Sequence, residues 1–187
     1  MSRIVFGDLV APEGETVEHP DVVEVRGRVV VHDGATLRAP QLKYAIGGVL
    51  VWHRGTLDAP ALEYVDDLFH LARETTLVVP SLAHVASLAV PAGVSLHTPL
   101  LASAEKLYVY KDAAIELPSL RWVGKLHLDD VGELEAAVLE RIGEEPVVGK
   151  LARRVRRRYI ARSATAAHAR CGATCVEPVP DEERCRS

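Results

Sequence analysis

Histidine, cysteine, carboxylate and arginine side chains are where chemistry would first be sought in this chain. His32 and His53 each stand two residues before a glycine, Gly34 and Gly55, and in adjacent coils of a repeat they would approach one metal ion. Two imidazoles leave a tetrahedral site short of ligands, and counted from the strand before them the two fall out of register, so ordinary turn histidines fit the same pattern better. The carboxylate pairs Asp66-Asp67 and Asp129-Asp130 read as solvated turn residues rather than as an acid and a base. His168, Cys171, Cys175 and Cys185 are a ligand set suited to zinc, at a spacing that matches no standard knuckle. No nucleophile motif, phosphate-cradling loop or properly spaced metal signature occurs. The expectation is therefore a protein with no catalytic residue, no resident metal and no cofactor, that is, not an enzyme.

The positioning elements come from the rest of the chain. Its 187 residues, 48% of them apolar, suffice for one cored domain with a small appendage. No run approaches the ~18 uninterrupted apolar residues of a spanning helix, and the opening MSRIVFGDLVAPEGE lacks a signal core, which predicts a cytoplasmic protein. Charge is unevenly spread. Residues 1–132 hold 11 Lys plus Arg against 17 Asp plus Glu, for −6, while residues 133–187 hold 11 against 9, for +2. An odd number of cysteines, all beyond residue 170, argues against a disulfide framework.

Prolines set the architecture. Pro20, Pro40, Pro60, Pro80, Pro99 and Pro118 are spaced by 20, 20, 20, 19 and 19 residues. Three residues before each stand Val17, Leu37, Leu57, Leu77, Leu96 and Ile115; two residues after each stand Val22, Leu42, Leu62, Leu82, Leu101 and Leu120. Five residues after come Val25, Ala45, Val65, Val85, Ala104 and Val123, and then a short strand: VVV at 29–31, VLV at 49–51, LFH at 68–70, LAV at 88–90, LYV at 107–109 and LHL at 126–128. A unit near 20 residues cannot bury its apolar side alone and must stack on its neighbours. Proline suits a corner where no ladder bond is needed, and Gly14, Gly34, Gly55 and Gly93 fall where a reversing chain wants positive φ. The fold class this predicts is mainly β: a parallel β-solenoid of about six coils of 19–20 residues, with a C-terminal helical cap. Its expected divisions are an N-terminal half-turn cap over 1–16, the repeat over 17–131, a helical segment over 132–170, and a disordered tail over 171–187.

LPSLRWVGKLHL at 117–128 and the pattern P-x-V-x-x-V-x-G-x-V-x-V from Pro20 resemble the repeats of receptor L domains and of related fungal cell-wall surface proteins, which are akin to leucine-rich repeats. The likeness covers about 110 residues. It implies a right-handed β-helix serving as a recognition scaffold; it carries over no ligand and no catalytic residue.

Residues alternating with the buried ones face outward. Four residues after each proline come Glu24, Tyr44, Tyr64, His84, Ser103 and Trp122, so Tyr44, Tyr64, His84 and Trp122 are expected to form a stripe of rings for docking a protein or glycan partner. Shielding of neighbouring apolar columns is the competing use of the same rings. A second outward column, Val30, Leu50, Phe69, Ala89, Tyr108 and His127, is too apolar to face water along its whole length, so the C-terminal segment or a partner is expected to cover it.

After Asp130 the period changes. VGELEAAVLERIG at 131–143 puts Leu134, Val138, Leu139 and Ile142 on one helical face, which predicts a capping helix. Residues 149–170 hold eight basic residues and no acidic one. A helix there would display Arg153, Arg154, Arg156, Arg157, Arg158 and Arg162, a candidate contact for nucleic acid or another polyanion. Two other uses stand beside it: packing against the acidic solenoid, or docking a protein or an anionic membrane surface.

Overall fold

The computed structural model describes residues 2–128, 133–135, 139, 141–143 and 147–148. Every coil repeats one circuit of three short strands, and each strand pairs in parallel with its equivalent one coil away. The first circuit is β1 (Arg3–Val5), β2 (Leu9–Ala11) and β3 (Thr16–Glu18). Next come β4 (Val22–Val25), β5 (Val29–Val31) and β6 (Thr36–Arg38), then β7 (Tyr44–Ala45), β8 (Val49–Val51) and β9 (Thr56–Asp58). From there the first two strands fuse: β10 (Tyr64–Leu71) with β11 (Thr76–Val78), β12 (His84–Val90) with β13 (Ser95–His97), β14 (Ser103–Val109) with β15 (Ala114–Glu116), and β16 (Trp122–Leu128) with β17 (Glu133–Glu135). The chain thus forms a parallel β-solenoid of about six proline-marked coils, with a 12-stranded sheet wrapping two faces.

Both corners follow from residue chemistry. Each proline is the second residue of a four-residue turn closed by a backbone bond, as in Leu42 N to Ala39 O at 3.1 Å, Leu62 N to Ala59 O at 3.0 Å and Leu120 N to Leu117 O at 3.2 Å. Its fixed φ suits that position, and its missing N–H leaves no ladder acceptor unsatisfied. The other corner needs one left-handed residue per coil, at Gly14, Gly34, Arg54, Glu74, Gly93 and Asp112. In the third coil that residue is Arg54 (φ 57°), not the Gly55 expected from the sequence. Gly55 takes the next position, the inward one held by Ala35 a coil earlier, where a Cβ would stand 2.9 Å from the Trp52 carbonyl oxygen.

The interior is a stack of single-residue columns. Val25, Ala45, Val65, Val85, Ala104 and Val123 form one, and Leu42, Leu62, Leu82, Leu101 and Leu120 another, all at 0% exposure. Each buried leucine contributes roughly 2 kcal/mol relative to exposure, and only the coils on either side can cover it. The template therefore folds cooperatively or not at all.

The 20-residue period drops to 19 at one place. Val65 pairs with Val85 and Leu68 with Ser87, so Asp66 and Asp67 together oppose the single residue Ala86. This bulge moves the strand of that coil one residue along: Phe69 lies in the buried column with Val49 and Leu88, at 1% exposure, and His70 pairs with Leu50 and Ala89. The outward column is consequently Val30, Leu50, His70, Ala89, Tyr108 and His127, which corrects the placement of Phe69. The third face divides at the same level, into a four-stranded sheet ending at β11 and a three-stranded sheet starting at β13.

The array also runs further at both ends than its prolines indicate. Residues 3–18 supply strands to all three faces rather than a half-turn. Past Asp130, β17 pairs with β15, and both β18 (Arg141–Ile142) and β19 (Val147–Val148) pair with β16. Strands thus occupy 133–135 and 141–142, inside the stretch 131–143 where a capping helix was expected. Leu139 and Ile142 pack against the core at the template positions two and five residues after Ala137, which stands where a seventh proline would fall. The remaining residues of that stretch, on which the capping-helix expectation also rests, lie outside the described residues.

Candidate binding face

The ring column forms as the spacing requires. Glu24 pairs with Tyr44, Tyr44 with Tyr64, Tyr64 with His84, His84 with Ser103, and Ser103 with Trp122. Equivalent residues on successive strands stand about 4.8 Å apart, close to the thickness of a stacked pair of rings. Tyr64 and His84 use that match, with ring centroids 4.7 Å apart and planes 15° from parallel. Trp122 lies two rungs beyond His84, separated by Ser103. Tyr44 is exposed, at 38%, and the other three are half-buried, so each ring keeps one side toward solvent.

Polar neighbours fix the rings in place. The Tyr64 hydroxyl donates to Asp66 Oδ1 at 3.0 Å, and His84 Nδ1 shares a 2.7 Å hydrogen bond with Ser103 Oγ. The bond to the Asp66 carboxylate, followed by partial burial, holds the Tyr64 phenol above its ordinary pKa, because ionising it would cost the bond and set two negative charges side by side. The pattern of carboxylate pairs suggests a solvated turn for Asp66 and assigns Ser103 no role; the signals for both are their positions, Asp66 two residues along the strand from Tyr64 and Ser103 one coil above His84.

The neighbouring outward face is half-buried from Val30 to His127, with Trp52 set edge-on to His70 at 6.2 Å between centroids and Tyr108 tilted against His127 at 6.0 Å. The segment expected to cover this face lies outside the described residues. So do Arg153, Arg154, Arg156, Arg157, Arg158 and Arg162, together with His168, Cys171, Cys175 and Cys185.

His32 and His53 do not share a column. Gly34 N donates to the His53 carbonyl at 2.9 Å, which sets His53 over Asp33, and the His53 imidazole lies 3.8 Å from Glu74. Among the described residues no group of three or more His, Cys, Asp or Glu side chains is arranged to hold a metal ion, and no helix is long and apolar enough to cross a membrane.

At the Trp122 end the face is concave. Trp122, Glu105, Lys106, Gly124, Lys125 and Gly143 line a shallow depression. Compared with protein-family models, with curated proteins and with solved structures, the chain matches none.

Proposed function

We propose that this protein is a non-enzymatic recognition scaffold which holds an extended partner, a protein segment or a glycan, along the face bearing Tyr44, Tyr64, His84 and Trp122. The observation carrying this reading is the ring column itself: four flat side chains on one register, two of them stacked at 4.7 Å and fixed by hydrogen bonds to Asp66 and Ser103. Rings immobilised before binding lose little freedom on contact, so their area converts efficiently into affinity. Their repeat also suits a ligand that itself repeats.

Screening purified full-length protein against a glycan array and a peptide-display library tests the reading, with Tyr64→Ala and Trp122→Ala screened in parallel. Ligands that bind the parent and are lost by both variants, at unchanged circular dichroism, support it. Ligands held equally well by both variants, or no ligand at all, contradict it.

A further inference from the structure

The solenoid has an open end at β1, β2 and β3. Each of these strands pairs with the coil that follows, and among the described residues nothing pairs with its other side. A free strand edge is a template for another strand, and proteins blunt such edges with charges, prolines or bulges. Two of the three are blunted: β1 carries Arg3 and breaks register between Arg3 and Ile4, and β3 ends on Glu18, paired with Arg38 at 2.8 Å. β2 is not. It reads Leu9-Val10-Ala11, uncharged and in straight register with β5. Pro12, directly after it, has no N–H to offer and confines the pairable edge to these three residues.

The edge is self-complementary. Leu9 N donates to Arg28 O at 2.8 Å and Ala11 O accepts from His32 N at 3.0 Å, so these two residues bond into the second coil and Val10 turns its own N–H and C=O to the open side. Leu9 and Ala11 point inward, at 4% and 0% exposure, and Val10 points outward at 41%. Reversed, the pattern is the same. A two-fold axis at Val10 therefore lets two copies exchange both Val10 bonds, with Leu9 opposite the second copy's Ala11. The same axis lays β1 over the second copy's β3, a strand with Arg3 over one with Glu18; an axis at β1 or β3 would set like charges together. Apolar surface waits there: Val5 and Val17 are half-buried, whereas Val25 and Leu37, their equivalents one coil in, are fully buried.

We propose that the open end is a homodimer interface, in which β2 pairs antiparallel with β2 of a second copy across a two-fold axis at Val10. The outward column of Val10, Val30 and Leu50 then runs unbroken from one copy into the other. The proposal is independent of the ring-face reading.

Light scattering from full-length protein is expected to give the mass of two chains. Val10→Glu sets two carboxylates opposite each other and is expected to halve that mass, while Ile46→Glu, at a comparable 37% exposure two coils away, leaves it unchanged. Oxidative cross-linking reads the contact without a disruptive charge, in a chain with Cys171, Cys175 and Cys185 replaced by alanine. Val10→Cys is expected to form an intermolecular disulfide, because a hydrogen-bonded antiparallel pair holds its Cα atoms about 5.5 Å apart. Val30→Cys, three rungs and about 14 Å from its counterpart, is expected to stay reduced. A parent of single-chain mass overturns the proposal. So do masses that climb past two chains, which mean end-to-end stacking, and so does a dimer that survives Val10→Glu and gives no cross-link at Val10→Cys.

Discussion

His84 lies over Tyr64 with 4.7 Å between ring centroids and 15° between their planes, although the two are twenty residues apart in the chain. One coil of the solenoid separates them, and one rung spacing matches one ring thickness. The repeat length in sequence is thus converted directly into stacking on the surface.

Removing the stack has a measurable cost. His84→Ala deletes both the ring contact and the bond to Ser103, and is expected to cost about 1 kcal/mol, which for a protein of this size is a fall of roughly 2–4 °C in melting temperature. His84→Phe keeps a ring and is expected to recover part of the loss. Equal melting temperatures for parent and His84→Ala would show that the stack contributes nothing.

Tyr64 gives the face a pH dependence at the alkaline end. Its phenol pKa in the folded chain is raised by the bond to Asp66, so the folded state holds this proton more tightly than the unfolded state. The resulting stability is fully present below the ordinary phenol pKa and is lost as pH rises through the raised folded value. In ultraviolet titration the Tyr64 component, identified by its loss in Tyr64→Phe, is expected to shift to lower pH in Asp66→Asn. A titration unchanged by Asp66→Asn would rule the bond out as cause.

The bulge at Asp66-Asp67 makes adjacent residues opposite in consequence. Phe69→Ala removes a ring at 1% exposure and is expected to cost about 3–5 kcal/mol, whereas His70→Ala, on the outward column, is expected to cost under about 1 kcal/mol. Urea denaturation distinguishes them, and similar midpoints for the two variants would contradict the register.

The inward corner column carries one misfit. Thr98 is fully buried and its Oγ1 has no hydrogen-bond partner, while its equivalents are Ala59 and Val79 below and Leu117 above. Thr98→Val keeps the shape and removes an unsatisfied hydroxyl, so it is expected to stabilise by about 1 kcal/mol, read as a higher urea midpoint at unchanged slope. A lower midpoint would mean that the hydroxyl is satisfied.

How much of this could be read in advance depended on whether a residue type marks its own position. Proline does, because few other residues suit its corner, so the six coils and the ring column followed from Pro20 to Pro118. Past Pro118 no proline marks the next repeat, and the helix-forming composition of 133–141 gave no sign of the strands at 133–135 and 141–142. The left-handed corner was half legible: Gly14, Gly34 and Gly93 announce it, while Arg54, Glu74 and Asp112 adopt the same φ without a signature. The bulge was invisible as a feature because one extra residue within an aspartate pair resembles any turn; it surfaced only as one residue of slack, taken up at the wrong side of Leu68. The partners of the rings, Asp66 and Ser103, needed the register before they could be assigned.

Spin-label distances along the ring column test the stacking itself. In a chain with Cys171, Cys175 and Cys185 replaced by alanine, cysteines are introduced in pairs at Glu24 with His84, Glu24 with Ser103, and Glu24 with Trp122, which are three, four and five coils apart. Parallel rungs in this register predict Cα separations of about 14, 19 and 24 Å, a constant increment of about 4.8 Å per coil. Distances that fail to grow by equal steps, or that place Trp122 no farther from Glu24 than His84, would contradict the solenoid and the binding face built on it.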